Sequence, residues 1–419
     1  MKVLVKIAWR NILRHRSRTM RSAVTVAVTL TVYIFLDSLF AGMDRIGTDN
    51  TINLTTAGVK VHSLRYQEKK HAFPLDYEVG ELDSFVELLG NDEVVKGITP
   101  RTQFFAKLSN YSEALPVIGT VIEPITDSTV FSFHNYVEGE NFSQESEREI
   151  MLGSALAKDL GVEVGEYITL YAMTKYESRN ADEFRVVGVI NTSDPTVNST
   201  SVTITFKAAN DFLDLEGLAT EMNIGLHHRA NLDRLIEDAD HVRKRIANNM
   251  DEVVPLTFDQ IGAAFFELSK QKRAYSSIFM GVILLIAAVG IFNTVLMSVY
   301  ERTREIGVLR AHGMCPSEVT LLFCLEGFFT GVVGCLMGVV CGVIANVFLT
   351  VYGFPFELFF GGTIGVAANM PFWGTIYGEW NLFSFLFSAI FAIVIATIAG
   401  IYPSVKGGRF SITEALRHV

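Results

Sequence analysis

Four apolar stretches constrain this chain more than any other feature. They lie at about Ser22–Phe40, Ser277–Val299, Val319–Val351 and Phe383–Ile401. Each comes close to or exceeds the roughly 20 residues that a helix needs to cross a hydrocarbon core. About 230 residues separate the first from the second, with no comparable run among them. The expected fold is an α-helical membrane protein with four transmembrane helices and a large extracytoplasmic mixed α/β domain inserted between helices 1 and 2. The chain's 49% hydrophobic content and 31 Phe agree with that class.

Charge sets the expected orientation. Lys2, Lys6, Arg10, Arg14, Arg16, Arg18 and Arg21 precede the first stretch, and no acidic residue accompanies them. Basic segments beside a first spanning helix stay on the cytoplasmic side. The resulting order is a cytoplasmic basic segment 1–21, helix 1 over 22–43, the extracytoplasmic domain 44–273, helix 2 over 274–299 and an inner loop 300–318. Helix 3 over 319–351, an outer loop 352–381, helix 4 over 382–402 and a cytoplasmic tail 403–419 complete it. Arg302, Arg304 and Arg310 then fall in the inner loop and Lys406, Arg409 and Arg417 in the tail, while Gly353–Asn381 holds no Lys or Arg. Residues 44–273 contain 37 acidic and 22 basic side chains, a net of −15, against +5 for the rest. The formal net charge of −10 therefore averages two compartments and gives no sign of a nucleic-acid partner. The N-terminus also has the basic start of a signal peptide, but its apolar stretch is long for one and no small-x-small cleavage site follows.

The chemistry-bearing residues exclude several classes. Cys315, Cys324, Cys335 and Cys341 all lie after residue 300, so no disulfide framework holds the outer domain. His227–His228 is the only histidine pair and has no third ligand at a metal-binding spacing, so no metal is expected. The sequence contains no G-x-x-x-x-G-K-[ST], H-E-x-x-H, C-x-x-C or G-x-S-x-G, which leaves no expected catalytic residue. The acidic run EGENFSQESERE is read as a solvated surface.

Alternation predicts strands at Val59–Val61, Leu115–Ile118, Tyr167–Tyr171, Phe184–Val189 and Ser201–Phe206. Helices are predicted at Leu82–Leu89, Gly153–Leu160, Ala208–Phe212 and Leu232–Asn248. Helix 1 runs on as LFAGMDRIGTDN, and Ile261, Phe265, Leu268 and Tyr275 keep helical spacing ahead of helix 2. Both pieces read as helical stalks or as ordinary domain-edge helices.

Helix 3 carries Gly327, Gly331, Gly334, Gly338 and Gly342 along one face. Such a row lets another backbone come close. It fits a tight subunit interface or a flexing helix, and equally internal packing among the four helices. Glu326 enters the same helix near its cytoplasmic end. A carboxylate at the bilayer centre costs about 2.5–3.5 kcal/mol on insertion scales, and less near an edge. A structural role is preferred to proton coupling, on the reading that no second intramembrane acid or His joins it.

Several motifs carry a resemblance over nearly the whole chain. AWRNILRHRSRTM precedes helix 1, and MLGSALAKDLGVEVGEYITL holds Gly153, Leu160, Gly161, Gly165 and Glu166. FRVVGVI, NTVLMSVYERTREIGVLRAHGM and YPSVKGGRFSITEALRHV follow in order. Together they resemble ABC transporter permeases of the MacB/LolC–LolE/FtsX superfamily, without a fused ATPase.

The resemblance implies that the inner loop is a coupling helix docking on a separate ATP-binding subunit through Glu301, Arg302, Glu305, Ile306, Gly307, Leu309, Arg310 and Gly313. The bottom-up alternative is a membrane-surface helix whose charges face water and headgroups. His312 departs from the family pattern, where an apolar residue is usual. It further implies a dimeric ATPase holding the ATP and Mg, no cofactor in this chain, and a second permease chain, identical or different. Movement of the outer domain would be driven by mechanotransmission in a bacterial cytoplasmic membrane. Lipoprotein release is the leading implied function, with FtsX-like control of a cell-wall hydrolase or MacB-like efflux as alternatives. A hairpin tip at Tyr176, Glu177, Ser178, Arg179 and Asn180 is either a reduced hook for a periplasmic carrier or lipoprotein or an ordinary hairpin. Its interval, Tyr171–Phe184, is shorter than a long hook needs.

Overall fold

The computed structural model describes residues 2–14, 16–143, 146–227, 232–355, 375–401 and 405. The chain divides into two compact units. One comprises residues 1–44, 270–355 and 375–419, and the other residues 45–269 and 356–374.

In the first unit an amphipathic helix, Lys2–Arg14, precedes the first long helix, Arg16–Asn50. Three more long helices follow at Ala263–Tyr300, Pro316–Tyr352 and Leu382–Ala399. At 1.5 Å per residue the 35-residue first helix is about 50 Å long, more than a bilayer core requires. Among the described residues, these four helices are long and apolar enough to cross a membrane. Their outward surfaces carry large apolar side chains such as Val28, Leu285, Leu336 and Phe383, all more than half exposed. A water-facing surface would not sustain so continuous an apolar belt. Segment 1–21, read only as a basic stretch, is thus largely helical. The Lys2–Arg14 helix buries Ala8 and Ile12, and Trp9 packs edge-on to Phe329 at 5.3 Å between ring centroids.

The glycine row is filled from within the chain. A Cβ on Gly327 would meet the Ala396 carbonyl oxygen at 2.5 Å, and one on Gly331 the Ala396 Cβ at 3.0 Å. Gly334, Gly338 and Gly342 face the first long helix at Ala23, Val26, Ala27, Leu30 and Ile34. All five glycines are buried, and this face packs against other helices of the same chain. Nearer the other end of the first long helix, Asp44 pairs with Lys272 at 2.7 Å and Arg273 at 3.2 Å.

The second unit is built on a ten-stranded mixed sheet. Its strands are β1 (Val59–Ser63), β2 (Val95–Ser109), β3 (Ala114–Ile122), β4 (Val137–Gly139) and β5 (Glu149–Gly153). They continue with β6 (Tyr167–Met173), β7 (Arg179–Ile190), β8 (Ser201–Thr205), β9 (Glu221–Leu226) and β10 (Val253–Thr257). The spatial order is β10-β1-β9-β2-β3-β8-β5-β7-β4, with β6 pairing β2 and β7. Pairs β3–β8 and β5–β7 are parallel, and the other pairs antiparallel.

One apolar core lies between the sheet and helices Ser154–Leu160 and Phe206–Leu213, around Phe104, Leu108, Val121, Leu152, Phe184 and Phe212. A second joins β1 and β9 to helices Leu82–Leu89 and Leu232–Asn249 through Val61, Phe85, Ile224 and Val242. The MLGSALAKDLG segment makes a strand-to-helix turn in which a Cβ on Gly153 would lie 2.3 Å from the Asn198 carbonyl oxygen. Gly161 then ends the helix at φ +61°, the left-handed cap that glycine adopts without strain.

Lys60 and Glu221 form an ion pair at 2.6 Å, both almost fully buried across the β1–β9 ladder. Burial alone would raise the Glu221 carboxyl, but Lys60 and His62 more than offset it and hold it below the usual range. A depressed carboxyl contributes stability above its unfolded value and loses it as pH falls through the folded one. Glu221→Gln leaves Lys60 buried without a countercharge and is expected to destabilise by about 3–5 kcal/mol at neutral pH. The difference from the parent should shrink on acidification, read as converging thermal unfolding midpoints.

Candidate functional site: the short charged helix and its buried clamp

The segment between the second and third long helices forms a helix of its own, Thr303–Ala311. The second long helix ends at Tyr300, and the Ile306 N–H donates to the Arg302 carbonyl at 3.1 Å. The far end closes at Gly313, whose φ is +93° and whose N–H donates to the Arg310 carbonyl at 3.0 Å. A Cβ at Gly313 would meet nothing within 4 Å, so the need for glycine there is conformational, not steric. Cys315 then caps the third long helix in a capping box with Glu318, and Pro316 occupies its first turn.

The short helix is held from below by an apolar contact and a buried ion pair. Ile306 packs on Val319 and Phe323, with Met314 beside them. Arg302 is 7% exposed and Glu326 9%. The Arg302 guanidinium donates to the Glu326 carboxylate and, at 2.6 Å, to Glu305. It also lies 5.1 Å over the Phe323 ring. The second Glu326 oxygen accepts from Asn11 Nδ2 at 2.7 Å. Three pieces distant in sequence therefore meet at one carboxylate: the amphipathic N-terminal helix, the start of the short helix and the third long helix.

This arrangement divides the eight residues expected to contact an ATPase. Arg302, Ile306 and Gly307 are buried within the unit, so they position the helix and do not form its outer surface. Glu301 and Gly313 are exposed, and Glu305, Leu309 and Arg310 half-buried. Arg304, one of the loop's charged residues, and Val308 are also exposed. Helical spacing places both opposite the buried Ile306, since residues two away on a helix face the other side. His312 is exposed and its Nδ1 lies 2.8 Å from the Val308 carbonyl, at the end of the helix. Its departure from the family pattern is accommodated at the surface.

The reading of Glu326 as an isolated intramembrane acid needs correcting. Asp37 lies within the first apolar helix, half-buried beside Ser384 and Asn381. Its neighbour Ser38 hydrogen-bonds Asn346, twenty residues beyond Glu326 and thus about 30 Å further along the third long helix. The two carboxyls are too far apart to share a proton directly. Glu326 is joined to a fixed cation, which gives it a structural partner.

The hairpin read either as a reduced hook or as an ordinary hairpin is short. β6 and β7 pair as far as Met173 and Arg179, so Arg179 and Asn180 belong to the ladder and only Thr174–Ser178 forms the turn. The Tyr176 hydroxyl donates to Glu216 at 3.2 Å, and Asn180 Nδ2 donates to the Phe212 carbonyl at 2.9 Å. The tip is tied to its own domain, although Tyr176 remains 65% exposed. Among the described residues, no group of three or more His, Cys, Asp or Glu is placed to hold a metal ion. His228 and the tail residues Lys406, Arg409 and Arg417 lie outside the described residues.

Comparison with known proteins gives two family matches. Residues 22–241 match the MacB-like periplasmic core domain, and residues 277–412 match the FtsX-like permease C-terminal domain. The chain is 28% identical over 269 residues to the ABC transporter permease YtrF of Bacillus subtilis, a match spanning 59% of this chain and 56% of that protein. It is 25% identical over 360 residues to the lipoprotein-releasing system transmembrane protein LolC of Neisseria meningitidis, covering 81% of this chain and 84% of that one. The solved periplasmic region of MacB from Actinobacillus actinomycetemcomitans aligns with a TM-score of 0.35 and 12% identity, over 52% of this chain and 97% of that one. The MacB-like match alone covers more than half of the residues, and the chain therefore belongs to the MacB/LolC/FtsX family of ABC transporter permeases.

Proposed function

We propose that this protein is a permease subunit that couples ATP hydrolysis in a separate ATPase to movement of its α/β domain. In this reading the four long helices span a bacterial cytoplasmic membrane, with the domain inserted between the first and second. Both termini and the short helix Thr303–Ala311 face the cytoplasm, and the domain faces outward. The basic N-terminal segment and the acidic domain support that orientation. Two such chains, identical or different, would flank an ATPase dimer that holds ATP and Mg.

The observation that carries the proposal is the clamp. A small charged helix whose underside is locked by Ile306, Arg302 and Glu326 is built to move together with the third long helix. Its outer surface, Glu301, Arg304 and Val308, is what a partner would touch. Lipoprotein release is the favoured task, because a relative named for that system aligns over most of both chains. MacB-like efflux is the second reading, supported by the match of the domain itself to the MacB-like core.

Copurification with candidate ATPases, followed by ATPase assays, tests the docking role. Glu301→Ala combined with Arg304→Ala is expected to lower ATPase association at least about tenfold, by weakening charged contacts with the partner. Unchanged association and unchanged ATPase activity would sink the docking role. Spheroplast release assays with a lipoprotein and with a macrolide then separate the two tasks.

A further inference from the structure

The α/β unit contains a cavity of about 480 Å³ that the coupling reading does not use. This lies within the size range of small-molecule sites. Its floor is the face of β2, β3 and β8 opposite the main core. Its rim is formed by the turn Thr51–Thr56, the helix Pro195–Thr200 and residues 261–268. Leu54, Ile118, Ile122, Phe133, Phe265 and Leu268 supply apolar walls.

Three polar side chains cross the floor in one row. Gln103 on β2 stands opposite Thr120 on β3, and Thr120 stands opposite Thr203 on β8. All three line the cavity. No described residue hydrogen-bonds their side chains, although Thr203 is only 6% exposed. Adjacent strands set such a row at about 4.8 Å intervals. Gln103 and Thr120 are half-buried and open onto the cavity beside the buried Thr203, so the row leaves its hydrogen-bonding groups to whatever fills the space.

The one cation beside that row among the described lining residues is paired. Arg101 also lines the cavity, but its Nε and Nη2 donate to Asp127 at 2.6 and 2.9 Å, and it lies 3.2 Å over the Phe131 ring. Asp194 caps its helix by accepting from the Thr196 N–H at 2.8 Å. The Arg101 charge is taken up by Asp127, so the lining suits no phosphate, and the single helix-capping carboxylate of Asp194 has no group of His, Cys, Asp or Glu among the described residues with which to hold a metal ion.

We propose that this cavity binds an uncharged amphiphile, with an apolar chain against Leu54, Phe133 and Phe265 and ester, amide or hydroxyl groups on the Gln103–Thr120–Thr203 row. The site is formed partly by Thr51–Thr56, which directly follows the first long helix, and by residues 263–268, the first turns of the second. Occupancy would therefore bear on the segments through which the domain joins both helices. The assignment goes beyond the coupling role and does not depend on it.

The test is photocrosslinking of the full chain in lipid nanodiscs with a diazirine-bearing monoacylglycerol, beside the corresponding diazirine fatty acid as its anionic counterpart. Adducts mapped by mass spectrometry are expected on peptides containing Leu54, Phe133 or Phe265, and excess unlabelled monoacylglycerol should displace them. Thr120→Phe should reduce these adducts at least about tenfold by filling the floor. Gln103→Leu, which leaves the space open, should weaken displacement about three- to tenfold, the range of one neutral hydrogen bond. Should Thr120→Phe fail to fold, Gln103→Leu and the competition experiment decide alone. Adducts confined to the long apolar helices, or equal labelling by the fatty acid, would overturn the assignment. Neither result would touch ATPase docking, which this experiment does not read.

Discussion

Glu326→Ala is expected to release the short helix from the third long helix and, if the proposed docking holds, to uncouple the permease from the ATPase. The substitution leaves the Arg302 guanidinium 7% exposed and removes both the acceptor beneath it and the partner of Asn11. Breaking a buried pair by deleting one member costs about 3–5 kcal/mol when the remaining charge is left alone, and Arg302 keeps Glu305 at 2.6 Å, which places this case at the lower end. Hydrogen exchange at the amides of Thr303–Ala311 should accelerate about 100-fold or more, since each 1.4 kcal/mol is a factor of ten. The exchanged pair Arg302→Glu with Glu326→Arg should recover part of the protection. If exchange there is unchanged in Glu326→Ala, the clamp does not hold the helix.

Gly327→Val carries the second large effect. The new Cβ would sit 2.5 Å from the Ala396 carbonyl oxygen, a backbone atom that cannot rotate away. Overpacking generally costs about 1–3 kcal/mol, and a backbone neighbour places this site at the upper end or beyond. The expected result is a lower unfolding midpoint and less folded protein by size-exclusion chromatography. Gly281 and Gly290 in the second long helix provide the control, because a Cβ at either meets nothing within 4 Å. Valine there should leave the isolated chain's midpoint unchanged, and an equal loss at all three positions would contradict the packing account.

Long-period features were legible in the sequence. The four helices announce themselves because lipid demands some twenty consecutive apolar residues, a signal that no tertiary contact needs to complete. The helix Leu82–Leu89 has the bounds its sequence predicts, since its apolar spacing matches one buried face. Central strands were harder. β2 contains Gly97 and Pro100, and residues that usually interrupt strands concealed a 15-residue one. β5 and β9 are buried on nearly every residue, so the alternation that marks a half-exposed strand is missing.

The candidate site was half legible. The charges of 301–310 mark it as a polar insertion, but only the fold shows that Arg302 turns inward to Glu326, 24 residues away. Asn11 adds a contact across 315 residues that no local pattern encodes. The glycine row had two readings because spacing defines a face without identifying its neighbour.

The most direct test of coupling is site-specific photocrosslinking from Val308, on the exposed side of the short helix. With a photoreactive amino acid at that position in cells, the account predicts a covalent adduct to the ATP-binding subunit that is lost in Glu326→Ala. Adducts to lipid alone, with none to an ATPase, would make Thr303–Ala311 a membrane-surface helix and contradict the account.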